Sequence, residues 1–366
     1  MRRPATSGRP IVVKIGSSAL ALPTGGIDAD GLQRVVEQVE ALWQSGHPTV
    51  LVSSGAVAAG ISIMGLSRRP DDLPGLQVAA AVGQSKLMES YAAAFTARGR
   101  LVGQVLITRE VVAGRGQYLH ARLALERMLE MGIVPIVNEN DTVVVDELKF
   151  GDNDRLAAIV SHLVAADLLI ILTDTPGLYE TDPRTDGNAQ LLSAVRDTDA
   201  VLDELHRMTG PGAFGSGGVA TKIAAARMAA WSGIPTVVAG AAAPGAALQA
   251  ASGAEIGTWI APRPERLSAR KLWIAFGLPS SGRVQIDDGA LHALRERGGS
   301  LLAVGVVDVE GSFAAGDAVE VIDRAGNLVA KGVVGIDAPV LAAETGRHSS
   351  EIGGEVIHRD DLVMLV

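Results

Sequence analysis

Two lysines in this chain stand where an anion could meet them. Lys14 lies inside the apolar run IVVKIG (11–16) and is followed at once by Gly16-Ser17-Ser18. A lysine is costly to bury unpaired, so near a strand end it either reaches solvent or meets an anion, and the glycine beside it lets backbone N–H groups come close to a phosphate. Lys222 closes the segment FGSGGVATK (214–222), which opens the amphipathic stretch TKIAAARMAAW. A glycine-rich turn at a helix N-terminus offers orphan N–H donors and the positive end of a dipole, and the lysine adds a full charge. That combination is a phosphate cradle, with a plain flexible loop as the alternative. It is not a Walker A loop, because Thr221 rather than glycine precedes the lysine.

A third group is acidic and amide-rich. Asn138, Asn140 and Asp141 lie in NEND (138–141), and FGDND (150–154) leads into the helical run RLAAIVSHLVAA. Asp152 or Asn153 could simply cap that helix. Asn and Asp clustered beside two lysine-bearing loops also suit a substrate carrying both ammonium and carboxylate, with the acids able to organise the lysines or a hydrated Mg²⁺. Gly210-Pro-Gly212-Ala-Phe-Gly215 matches a dinucleotide-binding glycine pattern, but it follows the polar LDELHRMT rather than a strand and lacks the context that pattern needs.

Other chemistries are excluded or disfavoured. The 366 residues contain no cysteine, which removes thiol nucleophiles, disulfides, Cys-ligated zinc and iron–sulfur clusters. The seven histidines never fall at metal-ligand spacing. A net charge of −9 argues against a general affinity for nucleic acid or anionic membrane. From Ser281 onward seven Lys/Arg face fourteen Asp/Glu, so the C-terminal part is the acidic one. The lead-in MRRPATSGRP carries no export signal and is expected to be disordered, and the uncharged stretch 228–254 is broken by Pro235 and Pro244, which fits buried elements better than a membrane span.

The elements that must position these residues are legible as apolar runs: 11–16, 48–55, 103–108, 133–139, 167–174 and 234–240. Amphipathic stretches such as LQRVVEQVEALWQSG and LHARLALERMLEMG separate them, each closed by a glycine where a helix C-cap places one. Alternating strand and helix predicts a mostly parallel sheet covered on both faces, its last strand near Val237. Ligands sit beyond the carboxyl ends of such strands, where Gly16-Ser17-Ser18, Ser53-Ser54-Gly55, Asn138–Asp141 and Thr173-Asp174 fall. Each could be a turn or cap by itself, but together they favour a site. PRPERLSARK reads as a linker, and the short strands and turns after it, with a hairpin loop at Asp323–Asn327, predict a small separate β-barrel.

Six motifs, IVVKIGSS, VLVSSGAVAAG, IVNENDTV, FGDNDRLAA, ILTDTPGLYETDPR and GSGGVATKIAAA, come in the order and spacing of the glutamate 5-kinases, and the chain resembles that branch of the amino acid kinase family over roughly residues 10–360. The tail resembles the PUA domain many of them carry. The resemblance implies an α/β fold, a three-layer αβα sandwich with a mostly parallel central sheet, plus a small PUA-like β-barrel. The expected boundaries are 1–10 lead-in, 11–261 catalytic domain, 262–280 linker and 281–366 PUA-like domain.

The implied activity is MgATP-dependent phosphorylation of the side-chain carboxylate of L-glutamate, the first step of proline biosynthesis, in the cytoplasm. By the family pattern Lys14, Lys222 and Asp154 serve the transfer, and Ser54, Asn138, Asp141 and Asn153 bind glutamate. Lys14, Thr173, Asp174 and Ser216-Gly217-Gly218-Val219-Ala220-Thr221-Lys222 form the ATP site, and no protein side chain is assigned to the metal. Ser216 and Val219 replace the more usual Thr and Met. Expected partners are proline as inhibitor, further copies of the chain in a dimer or tetramer, and the downstream glutamyl phosphate reductase, with neither membrane nor nucleic acid. Two alternatives are a sibling kinase for an N-acylated glutamate or aspartate, the acylated substrate being disfavoured by Asp141, and an RNA-binding protein, disfavoured by the acidic tail.

Overall fold

The computed structural model describes the chain except residues 1, 23–24, 109–110, 112–114, 144–152, 203–204, 206–217, 346–354 and 366. It divides into two compact units, Met1–Arg266 and Leu267–Val366.

The first unit is built on an eight-stranded sheet. In chain order the strands are β1 (Ile11–Ile15), β2 (Thr49–Ser53), β3 (Val102–Ile107), β4 (Val134–Glu139), β5 (Leu168–Thr173), β6 (Ala194–Arg196), β7 (Thr236–Gly240) and β8 (Thr258–Ala261). Their spatial order is β3-β4-β2-β1-β5-β7-β8-β6, parallel throughout except where β8 pairs antiparallel with β7. Six of the eight coincide with the apolar runs of the sequence. The sheet does not end near Val237 as expected, since β8 continues it through Trp259 and Ile260 and recruits β6 beyond. Four- and three-residue strands leave too short a pattern to be read beforehand.

Alternation along the strands decides which side chains reach the site. Ile11, Val13 and Ile15 of β1 and Leu168, Ile170 and Leu172 of β5 join one core. That core also contains residues of α1 (Ala29–Gln44), α3 (Leu73–Thr96) and α7 (Ala246–Ala251). Successive side chains in a strand point to opposite faces, so Val12 and Lys14 belong to the other face of β1. There α5 (Asn153–Leu163) packs against β1, and α6 (Val219–Trp231) packs against α5. Lys14 is therefore the polar residue of a strand face that looks toward the start of α5.

Helix α2 (Ala56–Ile63) follows β2 through Gly55, whose φ of +106° is a left-handed conformation that glycine adopts without strain. It crosses α3 with backbone against backbone. A Cβ on Gly60 would meet Ala79 O at 1.8 Å, and one on Gly83 would meet Ala56 O at 1.8 Å.

Residues 2–10 are not the disordered lead-in expected. The Arg2 guanidinium donates to the carbonyls of Ala254, Ile256, Ser193 and Gly257, and Thr6 N donates to Asp167 Oδ2. A planar fork of five donors suits such convergent carbonyls, a match that no periodicity reveals. The expected linker 262–280 is also partly structured, with α8 at Ala269–Leu272 and a π-helical turn at Trp273–Gly277.

In the second unit a five-stranded sheet has the order β10-β9-β11-β12-β13, formed by β9 (Ser280–Ile286), β10 (Val306–Gly311), β11 (Ala318–Ile322), β12 (Leu328–Val333) and β13 (Leu362–Met364). Val284, Ile286, Val319, Val321, Val329 and Ile357 centre its core. The hairpin loop expected at Asp323–Asn327 is present, with Asp323 N donating to Asn327 O and Gly326 at φ +83°.

Candidate functional site

The carboxyl ends of β1, β2, β4 and β5 and the starts of α5 and α6 bring the chemistry-bearing residues together. Asp154, in the first turn of α5, is 1% exposed and sits between the two lysines. Its Oδ1 is 2.7 Å from Lys14 Nζ, and its Oδ2 is 3.6 Å from Lys222 Nζ. Thr221 Oγ1 donates to the same Oδ2 at 2.7 Å. Lys14 and Lys222 are 2% and 7% exposed.

The electrostatics follow from that packing. Burial works to lift the Asp154 pKa, but the charges of Lys14 and Lys222 and the hydrogen bonds from Lys14 and Thr221 outweigh it and hold the pKa down at about 2. Asp154 is thus an anion at every physiological pH. Burial lowers the Lys222 pKa, opposed by Asp154 and Asp174, while the neighbouring Lys14 charge lowers it further. Asp154 thus bridges the two ammonium groups within a buried cluster, with Asp174 also near Lys222.

The start of α6 adds donors to that charge. Its N-cap is Gly218, with no side-chain cap and no acidic residue in the first turn, so among the described residues no side chain caps the first N–H groups of the helix. Val219 and Ala220 are half-buried in this turn, beside Thr221 and Lys222. A Cβ on Gly16 would stand 3.6 Å from Lys14 Nζ, so glycine there leaves the space beside the ammonium open. At the end of β5 the hydroxyl of Thr173 donates to Asp174 Oδ1 at 2.9 Å, and Asp174 lies near enough to Lys222 to raise its pKa.

A second cluster adjoins the first through the peptide link between Asn153 and Asp154. Asn153 Nδ2 donates to Asn138 Oδ1 at 2.9 Å, Ser54 Oγ at 3.0 Å and Ser53 O at 3.2 Å, sharing its two hydrogens among three acceptors. Asn138 Oδ1 also accepts from Glu139 N, and Asn138 Nδ2 donates to Gln84 Oε1 at 2.8 Å. Behind it Ser53 Oγ lies 2.9 Å from the buried Tyr91 hydroxyl.

Ser54, Asn138 and Asn153 are therefore brought together as a chain of amides and hydroxyls. Asp141 is in the turn after β4, where Val143 N donates to Asn140 O, and it joins none of these bonds among the described residues. It is half-buried, and burial pushes its pKa up to about 6 against the opposing charge of Arg69. Ser216 and Gly217, the 150–152 segment and the Gly210–Gly215 pattern lie outside the described residues. Sequence inspection singled out neither Gln84 nor Tyr91. Gln84 left one usable sign, an amide placed after Gly83 in an otherwise small and apolar helical stretch.

Among the described residues no group of three or more His, Asp or Glu could hold a metal ion, and no helix is long and apolar enough to cross a membrane.

A mostly parallel sheet carries a lysine–aspartate–lysine cluster at its carboxyl edge, and residues 9–240 match the amino acid kinase family, a class of phosphotransferases. Residues 282–355 match the PUA domain. The chain is 48% identical to the glutamate 5-kinase of Frankia casuarinae over 100% of its own length and 99% of the relative's. It is 45% identical to that of Rhodococcus opacus (100% and 99% covered) and 44% identical to that of a Marinomonas species (100% and 100% covered). The chain belongs to the glutamate 5-kinase family and is a kinase.

Proposed function

We propose that the protein transfers the γ-phosphoryl group of ATP to the side-chain carboxylate of L-glutamate, giving L-glutamyl 5-phosphate for proline biosynthesis. The observation that carries this reading is the buried Asp154 held between Lys14 and Lys222, beside the uncapped start of α6. The names of the full-length relatives support the choice of substrate.

A glutamate side chain has a pKa of about 4.3 and is already a nucleophilic anion at neutral pH, so no general base is needed. One carboxylate oxygen forms a bond to the γ-phosphorus while the bond to the β,γ-bridging oxygen breaks, and ADP leaves with that electron pair. The work left to the protein is alignment and charge neutralisation. Lys14 and Lys222 hold the transferring group from two elements, and Asp154 fixes both ammonium groups in place before substrate arrives. Val219, Ala220 and Thr221 present backbone N–H groups to the nucleotide phosphates, and the family pattern assigns Gly218, Ser216 and Gly217 to the same nucleotide site. Thr173 and Asp174 border the nucleotide. Mg²⁺ bound to the ATP phosphates would supply further neutralisation.

Ser54, Asn138 and Asn153 bind the amino acid, and Asp141 receives its ammonium group. Proline carries the same α-carboxylate and a cationic nitrogen and competes there as a feedback inhibitor. The test is a panel of free L-glutamate, N-acetylglutamate and L-aspartate, with MgATP-dependent ADP release and hydroxylamine trapping of the acyl phosphate. Free glutamate giving both ADP and hydroxamate is expected, and ADP release without hydroxamate would mean idle ATP hydrolysis.

A further inference from the structure

Two polar atoms of the amide cluster are buried and have no hydrogen-bond partner among the described residues: Gln84 Nε2 and Asn153 Oδ1. A buried polar group left unpaired costs free energy comparable to a lost hydrogen bond, so an orphan donor and an orphan acceptor in one network call for an explanation.

The sense of each amide is fixed by groups that cannot reverse. Glu139 N can only donate, and it donates to Asn138 Oδ1. Asn138 Nδ2 is therefore the donor to Gln84, so the Gln84 atom facing it is Oε1 and the orphan is the donor Nε2. At the other end Ser53 O can only accept, so Asn153 turns Nδ2 toward it and keeps Oδ1 as the orphan acceptor. The network thus ends in one orphan donor, Gln84 Nε2, and one orphan acceptor, Asn153 Oδ1.

Gln84 is 8% exposed, and the residue before it is pinned. The backbone contact of Gly83 with Ala56 O, at the first turn of α2, sets the height at which Gln84 leaves α3. It lies at the opposite end of the network from Asn153, the neighbour of Asp154 and hence of the reacting end of the substrate.

We infer that Gln84 is a substrate-binding residue, its Nε2 donating to the α-carboxylate of the amino acid. This rests on the site being one for free glutamate. A neutral donor serves an acceptor, and of the two carboxylates of glutamate the reacting one belongs with Lys14 and Lys222, which leaves the α-carboxylate for the far end of the network.

The test uses the full chain with Gln84→Met and Gln84→Glu, comparing L-glutamate with its α-carboxamide. Constants are KM values for glutamate and competition constants against glutamate for the amide. Gln84→Met is expected to raise the glutamate KM about tenfold or more, as for losing one hydrogen bond to a charged group. The KM for ATP and kcat should stay within about twofold, and the wild-type preference for glutamate over the amide should shrink by a similar factor. Gln84→Glu keeps an oxygen for Asn138 and replaces only the donor, so it carries the same comparison if Gln84→Met does not fold. Equal weakening of both ligands, with the preference unchanged, would mean that Gln84 acts only by supporting Asn138 and would overturn the assignment. A wild-type enzyme that does not phosphorylate glutamate overturns the substrate reading itself and the assignment with it, whereas normal wild-type turnover with unchanged Gln84 variants overturns the assignment alone.

Discussion

Lys14 holds Asp154 by the shorter of that carboxylate's two ion pairs, 2.7 Å against 3.6 Å for Lys222, and is the more deeply buried of the two lysines. The lysines are therefore unequal in what they do for the fold, although both have the same proposed role in phosphoryl transfer.

Lys222→Met should lower kcat by at least about 10²-fold, the usual loss when one transition-state charge partner goes, with little change in melting temperature. Lys14→Met should cost as much in kcat and destabilise more, because breaking a buried pair from the strand side costs roughly 3–5 kcal/mol. Kinetics at saturating substrates and a thermal melt of each variant separate the two effects. Near-normal kcat in a folded Lys222→Met protein would falsify the two-lysine mechanism.

The depressed pKa of Asp154 makes a claim about acid. A carboxylate held at about 2 in the folded chain against 3.8 in the unfolded one contributes stability that is fully present above pH 3.8 and lost as pH falls through 2. The contribution is on the order of 2 kcal/mol. Asp154→Asn should therefore narrow its gap to wild type as pH falls from about 4 to 2. Urea unfolding of both proteins across that range measures the difference, and a constant gap would show that Asp154 has no depressed pKa.

Asp141 carries the opposite sign. Its pKa is raised to about 6, so ionising it costs the free protein stability that is present below pH 3.8 and lost as pH rises through 6. Asp141→Asn should raise, not lower, the melting temperature at neutral pH while weakening glutamate and proline together. If the ionised form receives the substrate ammonium, the wild-type glutamate KM should be flat above pH 7 and climb as pH falls below 6. The Asn variant should lack that climb. Proline inhibition at full strength beside a steeply raised glutamate KM would place the two ligands on separate sites.

How far the sequence foretold this arrangement depended on the kind of pattern each element leaves. β1, β2, β3, β4, β5 and β7 are buried runs of branched apolar residues, and the polar residues at their ends, from Gly16 to Asp174, stood out against them. The long helix α3 left no such mark. Its buried side includes Ala79, Ala80 and Gly83, small residues chosen for close approach to α2, while Val78 and Val82 on other faces are exposed, so apolar periodicity is blurred. Gln84 shares that concealment, since its meaning depends on Asn138, a residue from a strand on the far side of the motif order. The lysine–aspartate pairing was reached through family resemblance, because nothing local to Lys14 announces a partner in α5.

The close crossing of α2 and α3 ties stability to substrate binding. A Cβ on Gly83 would stand 1.8 Å from Ala56 O, a backbone atom at the start of α2 that cannot swing aside, so Gly83→Ala must push the helices apart. Overpacking of this kind costs roughly 1–3 kcal/mol, and the displacement carries Gln84 away from Asn138. The expected result is a lowered melting temperature together with a raised glutamate KM and an unchanged KM for ATP, whose proposed contacts lie on β1, β5 and α6. Gly116, in the first turn of α4 (Arg115–Glu130), provides the contrast: among the described residues nothing stands within 4 Å of a Cβ there. Gly116→Ala should be neutral or stabilising by up to about 1 kcal/mol and leave both KM values alone. If Gly83→Ala melted like wild type and bound glutamate normally, the α2–α3 contact would not be what sets the position of Gln84.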